Sequence, residues 1–183
     1  MSKKRELLIK TALDLFYKNG INSVGINEIL KVSGVAKKTL YNHFESKDAL
    51  VLSVLKQRHE IFIHWLEEQL SNAKSDHEVI TQLFTSLGSW FNSKEPKLGD
   101  FRGCFFINTA AEFSNTDSDI FRYCSEHKER VKLLIEDKLN DSSADLLDAI
   151  CIMKEGAINS AYMTAQPTLI TAKCIKILVK LSQ

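Results

Sequence analysis

Lys37, Lys38, Thr39, Tyr41, Asn42 and His43 place six hydrogen-bonding side chains within seven residues, and Lys47 follows closely. The donor inventory suits a nucleic-acid duplex. Lysine bonds guanine O6/N7 or a phosphate, asparagine pairs with adenine N6/N7, and a threonine methyl meets a thymine methyl. Tyr41, His43 and Lys47 suit phosphate oxygens. Two lysines in the first turn of a helix oppose that helix's own dipole, and a polyanion would offset the cost. Taken singly, each lysine reads as part of an ordinary solvated face, and Tyr41 as a half-buried core residue. The array as a whole points to DNA.

Such side chains need a scaffold that presents them together. A short helical pattern, Ile26 to Val32, runs into Gly34, and a second, about Lys37–Phe44, follows. Ile29, Leu30, Val35 and Leu40 are spaced to fill a small core, which a first helix, about Ser2–Asn19, covers with Leu13 and Phe16. Gly20 is placed to cap that first helix. This is the layout of a helix-turn-helix. Ser46 is placed to cap a long fourth helix, about Lys47–Asn72. Further helices are expected at about Asp76–Asn92, Gly103–Phe113, Ser118–Leu139, Ser143–Thr164 and Leu169–Leu181, with a break at Gln166-Pro167-Thr168. The reading is all-α, about nine helices. Residues 1–46 form an N-terminal three-helix DNA-binding domain, and 47–183 a C-terminal helical domain for effector binding and dimerisation.

Charge divides along the same line. Residues 1–48 hold nine Lys/Arg against five Asp/Glu, and 49–183 hold fifteen against eighteen. A basic head on a mildly acidic body is expected when only the head meets a polyanion. No apolar run approaches the roughly 18–20 residues that cross a bilayer. The N-terminus is amphipathic rather than a signal peptide, so no membrane and a cytoplasmic location are expected. Four cysteines, Cys104, Cys124, Cys151 and Cys174, form no CxxC pair. They read as reduced packing residues, and neither they nor the histidines suggest a metal. No nucleophile–base pairing and no phosphate-binding glycine loop is visible, so an enzyme is not expected, nor a cofactor.

The stretch Ile9–Leu55 resembles the DNA-binding domain of TetR-family transcriptional regulators. The resemblance rests on Ala12, Leu15-Phe16, Gly20, Glu28-Ile29, Ser33-Gly34-Val35, Lys37, Leu40-Tyr41, His43-Phe44, Ser46-Lys47 and Ala49-Leu50. It departs where family members usually carry a hydroxyl, at Gly25 and Ala36. Leu30 stands at a commonly small position, and Lys38 where glycine is frequent. The resemblance implies a repressor that binds a palindromic double-stranded operator as a homodimer through its last two helices. A small-molecule effector would release it.

The body's residues are compatible with that implication. Gly156, Ala157 and Ala161 would let another helix approach closely. Cys104, Asn108 and Glu112 recur at i, i+4 and i+8 in an apolar stretch with Phe105. A few polar groups among aromatics make a ligand pocket. Phe62, Trp65 and Trp90 are candidate walls, and Glu155 and Asn159 repeat the acid–amide pairing. Plain core aromatics and satisfied helix ends are the competing reading. A thiol at a helix N-terminus, Cys104, would also suit electrophile or oxidant sensing. An effector-independent architectural or division-control protein on the same fold is the alternative function.

Overall fold

The computed structural model describes residues 2–140 and 144–182. Its described elements are helices: α1 Lys3–Asn19, α2 Ile26–Ser33, α3 Lys37–His43, α4 Lys47–Leu70, α5 Asp76–Phe91, α6 Phe105–Glu112, α7 Asp119–Lys138, α8 Ala144–Thr164 and α9 Pro167–Leu181. The expected all-α architecture is what is found. Ser143, the expected start of the eighth helix, lies outside the described residues.

The chain forms two compact units that do not follow chain order. The first comprises the residues up to Glu60 together with Phe105–His127. The second comprises Ile61–Cys104 and the described residues from Lys128 onward. Helices α4 and α7 each begin in the first unit and end in the second.

In the first unit, α1, α2 and α3 pack on one another around Leu8, Ile9, Ala12, Phe16, Ile29, Val35 and Leu40. Leu13 and Leu30 are only half-buried. Gly34 ends α2 in the left-handed conformation at φ 68°, and its N–H bonds Leu30 O. Glycine holds that conformation without the clash an L side chain meets. Neither Gly25 nor Ala36 supplies a side-chain cap to the helix it precedes. Ser46 does cap α4, accepting from the Ala49 N–H at 3.1 Å.

In the second unit, α5, α8 and α9 pack mutually. Their close approach has a visible cause at Gly88, where a Cβ would stand 3.2 Å from Thr171 Oγ1. Pro167 does not lie in a gap between helices, as the sequence suggested. It opens α9, because a proline at the first helical position gives up an N–H that would have no partner there. The sixth helix starts two residues later than expected. Gly103, at φ 80°, turns the chain before it, so Cys104 precedes the helix.

Candidate DNA-reading face and effector-site residues

The residues with DNA chemistry stand on α3. Lys37, Lys38 and Asn42 are exposed, and Tyr41 is 45% exposed. Thr39 and His43 are half-buried, the His43 ring meeting the edge of Phe44. The helix owes this division to Leu40, which is fully buried and anchors one face while its neighbours point out.

Lys47 is committed differently. Its Nζ donates to Ile21 O at 2.6 Å and lies over the Phe16 ring. The loop it holds, between α1 and α2, is gripped a second time. Glu112 Oε1 accepts from Ile21 N–H at 2.8 Å, and Oε2 accepts from Asn22 N–H at 2.6 Å. Gly20 fits beneath this carboxylate at φ 84°, and a Cβ there would approach Oε1 to 3.2 Å. Glu112 is therefore a clamp on the head's first loop. The i, i+4, i+8 reading that made it a pocket acid missed this, because its partners lie about ninety residues away in sequence.

The other candidate residues fall into groups within each unit. Phe105 is buried in the first unit, edge-on to Tyr17. Arg58 in turn covers the Tyr17 ring. Asn108 is exposed. His127, not foreseen as special, stacks on Phe106 at 3.5 Å, and its Nδ1 is 2.9 Å from His59 Nδ1. One imidazole of that pair donates and the other accepts.

In the second unit, Phe62, Trp65 and Trp90 come together as expected, joined by Phe91 and Phe101. The Trp65 indole N–H donates to Glu95 Oε2 at 2.8 Å, which fixes its ring. Cys104 and Glu155 also meet, through a residue the sequence reading did not single out. Lys128 Nζ donates to Cys104 Sγ at 3.2 Å and to Glu155 Oε2 at 2.7 Å. Lys154 Nζ donates to Glu155 Oε1. Burial alone would lower the pKa of Lys128, but its contacts with Cys104 and Glu155 outweigh it and the pKa is raised. Burial would likewise raise the pKa of Glu155, yet Lys154 and Lys128 hold it below the usual carboxylate range.

Lys154 occupies a core position. Leu147, Ile150, Lys154, Ala157 and Ala161 form the buried stripe of α8, at alternating spacings of three and four. That spacing was readable, but only apolar residues were counted along it. Asn159 lies on the opposite face. It is exposed, with Ile152, Gly156 and Met163, the last 79% exposed. On α9, Leu169, Ile177 and Leu181 are exposed as well.

Among the described residues, no group of three or more His, Cys, Asp or Glu is arranged to hold a metal ion. No described helix is long and apolar enough to cross a membrane.

Comparison with known proteins agrees with this geometry. The family model of bacterial regulatory proteins, tetR family, matches residues 8–54. The HTH-type transcriptional repressor ComR of Escherichia coli is 27% identical over 117 residues, 63% of this chain and 54% of ComR. An uncharacterized HTH-type transcriptional regulator of Bacillus subtilis, YerO, is 37% identical over 76 residues, 42% of this chain and 25% of YerO. The chain thus spans about half, or less, of the length of these curated relatives. A TetR-family transcriptional regulator from Streptomyces coelicolor superposes over 100% of this chain and 91% of its own, with a TM-score of 0.87 and 24% identity. Residues 8–54 thus match the tetR-family model, and the helices of the chain share the fold of that solved TetR-family regulator.

Proposed function

We propose that the chain is a cytoplasmic transcriptional repressor that binds a palindromic operator as a homodimer and is released by a small-molecule effector. The observation that carries DNA binding is the exposed donor face of α3, where Lys37, Lys38, Tyr41 and Asn42 stand behind the Gly34 turn. Lys47 has a dual place in this reading. It secures the first loop of the head, and its half-exposed position leaves it beside the reading face as a phosphate donor.

Pairing through α8 and α9 is supported by the exposed apolar residues Ile152, Met163, Leu169, Ile177 and Leu181. At Gly156 a Cβ would meet nothing within 4 Å, so the outward face of α8 is open there. A second copy covering these residues would remove them from water and place two recognition helices on one operator. Asn159 belongs to this pairing face, not to an effector site.

Effector control would act through two attachments to the α1–α2 loop, Lys47 at the start of α4 and Glu112 at the end of α6. A small shift of either helix would move the loop and, with it, the spacing of the two recognition helices away from the roughly 34–36 Å of successive major grooves. The effector residues retained are Phe62, Trp65, Trp90, Cys104 and Glu155, with Phe105 and Asn108 nearer the clamp in sequence.

The test is fluorescence anisotropy on duplex DNA taken from the intergenic region beside the gene. Replacing Lys37 and Tyr41 together by alanine is expected to weaken binding by about 100-fold, the scale of two lost contacts of about 1–3 kcal/mol each. A double variant that binds as tightly as the parent would refute the assignment of α3 as the reading helix.

A further inference from the structure

The core stripe of α8 contains a charge that the described neighbours do not balance. The Lys154 side chain is only 5% exposed, yet its ammonium has a single acceptor, Glu155 Oε1. Two of its three N–H groups are left open. Lys128 uses two of its three, on Cys104 Sγ and Glu155 Oε2, and keeps one. One carboxylate therefore bridges two ammoniums. The nearby Lys132–Asp148 pair is neutral in itself. Cys151, whose thiol burial pushes up, adds no negative charge. Two ammoniums thus share one carboxylate, in a setting where an unpaired charge is costly.

We infer that this cluster is the seat of a small organic carboxylate, whose two oxygens take the open N–H groups of Lys154 and Lys128. A second carboxylate facing Glu155 would close a ring of alternating charges, each oxygen meeting one ammonium. The charge count favours a monoanion, since a phosphate dianion would overbalance the site by one. Lys128 and Glu155 remain 28% and 29% exposed to solvent, whereas the Lys154 side chain is 5% exposed. Cys104 is bonded to Lys128 and not to Lys154, so it gives the open N–H groups of Lys154 no acceptor. The inference names the chemical class of the effector and so rests on the effector reading above, but the site can be tested without DNA.

The experiment follows thermal unfolding of the full chain with acetate, benzoate and octanoate, each against its amide at equal ionic strength. At about 100-fold above its Kd, at least one carboxylate is expected to raise the midpoint by roughly 5–10 °C, and its amide by under about 1 °C. Lys154→Met, which keeps the volume of the side chain, is expected to stay folded by circular dichroism and to lose that rise. Lys128→Gln should weaken the effect at least about tenfold in concentration, through loss of one charge-assisted bond. Cys104→Ser should retain it. Equal response to acids and amides, a rise that survives Lys154→Met, or one that disappears in Cys104→Ser would each overturn the site. A separate arm adds the effective carboxylate to the DNA complex. Stabilisation without release from DNA would keep the site and refute its link to regulation, whereas release with no dependence on Lys154 would keep the regulator and refute the site.

Discussion

The chain uses lysine in two opposite ways. Lys37 and Lys38 stand exposed at the start of α3, where they keep their hydration until a partner arrives. Lys154 lies in the core stripe of α8, and Lys128 is mostly covered beside it. An exposed lysine costs the fold little, because water solvates it in the folded and the unfolded chain alike. A buried one must be matched by a carboxylate in the protein or by an anion from outside. The first pair can be deleted with little effect on folding, and the second cannot be left unpartnered.

That contrast is broken most sharply at Glu155. Glu155→Gln leaves two ammoniums on a neutral amide and is expected to destabilise the fold by about 2–3 kcal/mol, less than for a fully dry pair because Glu155 keeps some exposure. Lys154→Met removes a charge from the same cluster and is expected to be neutral or stabilising. Urea unfolding of the two variants checks both signs. The pH dependence follows from the same partners. Glu155 has a depressed folded pKa, so its contribution is present above the unfolded carboxylate value of about 4.3 and is lost as pH falls through the folded value. Lys128, with its pKa raised, contributes below about 10.4 and loses that contribution as pH rises beyond it. In Glu155→Gln the acid limb attributable to this carboxylate should vanish, and a stability profile below pH 5 unchanged from the parent would refute the assignment.

Glu112 gives the next largest effect, and it tests the head from behind its reading face. Glu112→Ala removes two charge-assisted bonds to backbone N–H groups and should cost about 2 kcal/mol, given the partial exposure of the loop. Amide hydrogen exchange should speed up at Ile21 and Asn22 before it does in α3. DNA affinity is expected to fall about tenfold even though the substituted residue faces no DNA. Unchanged exchange at both amides would remove Glu112 from the proposed line of control. Lys38→Ala should have a smaller effect, about a five- to tenfold loss of affinity. If Lys38 meets phosphate, the slope of log affinity on log salt should also fall by about 0.9.

These two regions were not equally visible in the sequence. The exposed donor face of α3 was legible because its determinants are local. Gly34, Leu40 and the donors between Lys37 and His43 lie within ten residues, and helical periodicity alone assigns them to inside or outside. The Glu112 clamp was invisible, since nothing near residue 112 indicates that its partners are the amides of residues 21 and 22. Lys154 was an intermediate case. Its position in the stripe of Ile150, Ala157 and Ala161 was available, but a search for apolar periodicity passes over the charged residue that interrupts it. Cys104 shows a different limit. Its helix-terminal placement was nearly right, but its ammonium neighbour comes from α7, twenty-four residues on.

The smallest expected effect sharpens the same comparison from the exposed side. Ala36 precedes α3 with extended backbone angles, φ −65° and ψ 144°, and offers no side-chain acceptor to the first turn. That turn carries Lys37 and Lys38 against its own dipole and no acidic residue. Ala36→Ser supplies a hydroxyl that can accept from a first-turn N–H and should stabilise the fold by about 0.5–1 kcal/mol. The same hydroxyl stands next to the exposed Lys37, so on the proposed reading operator affinity should rise modestly as well. If urea unfolding shows the gain in stability while affinity is unchanged, residue 36 acts on the helix alone. If affinity rises with no gain in stability, the hydroxyl is turned toward phosphate, and the lysines need DNA rather than a cap to offset the helix dipole.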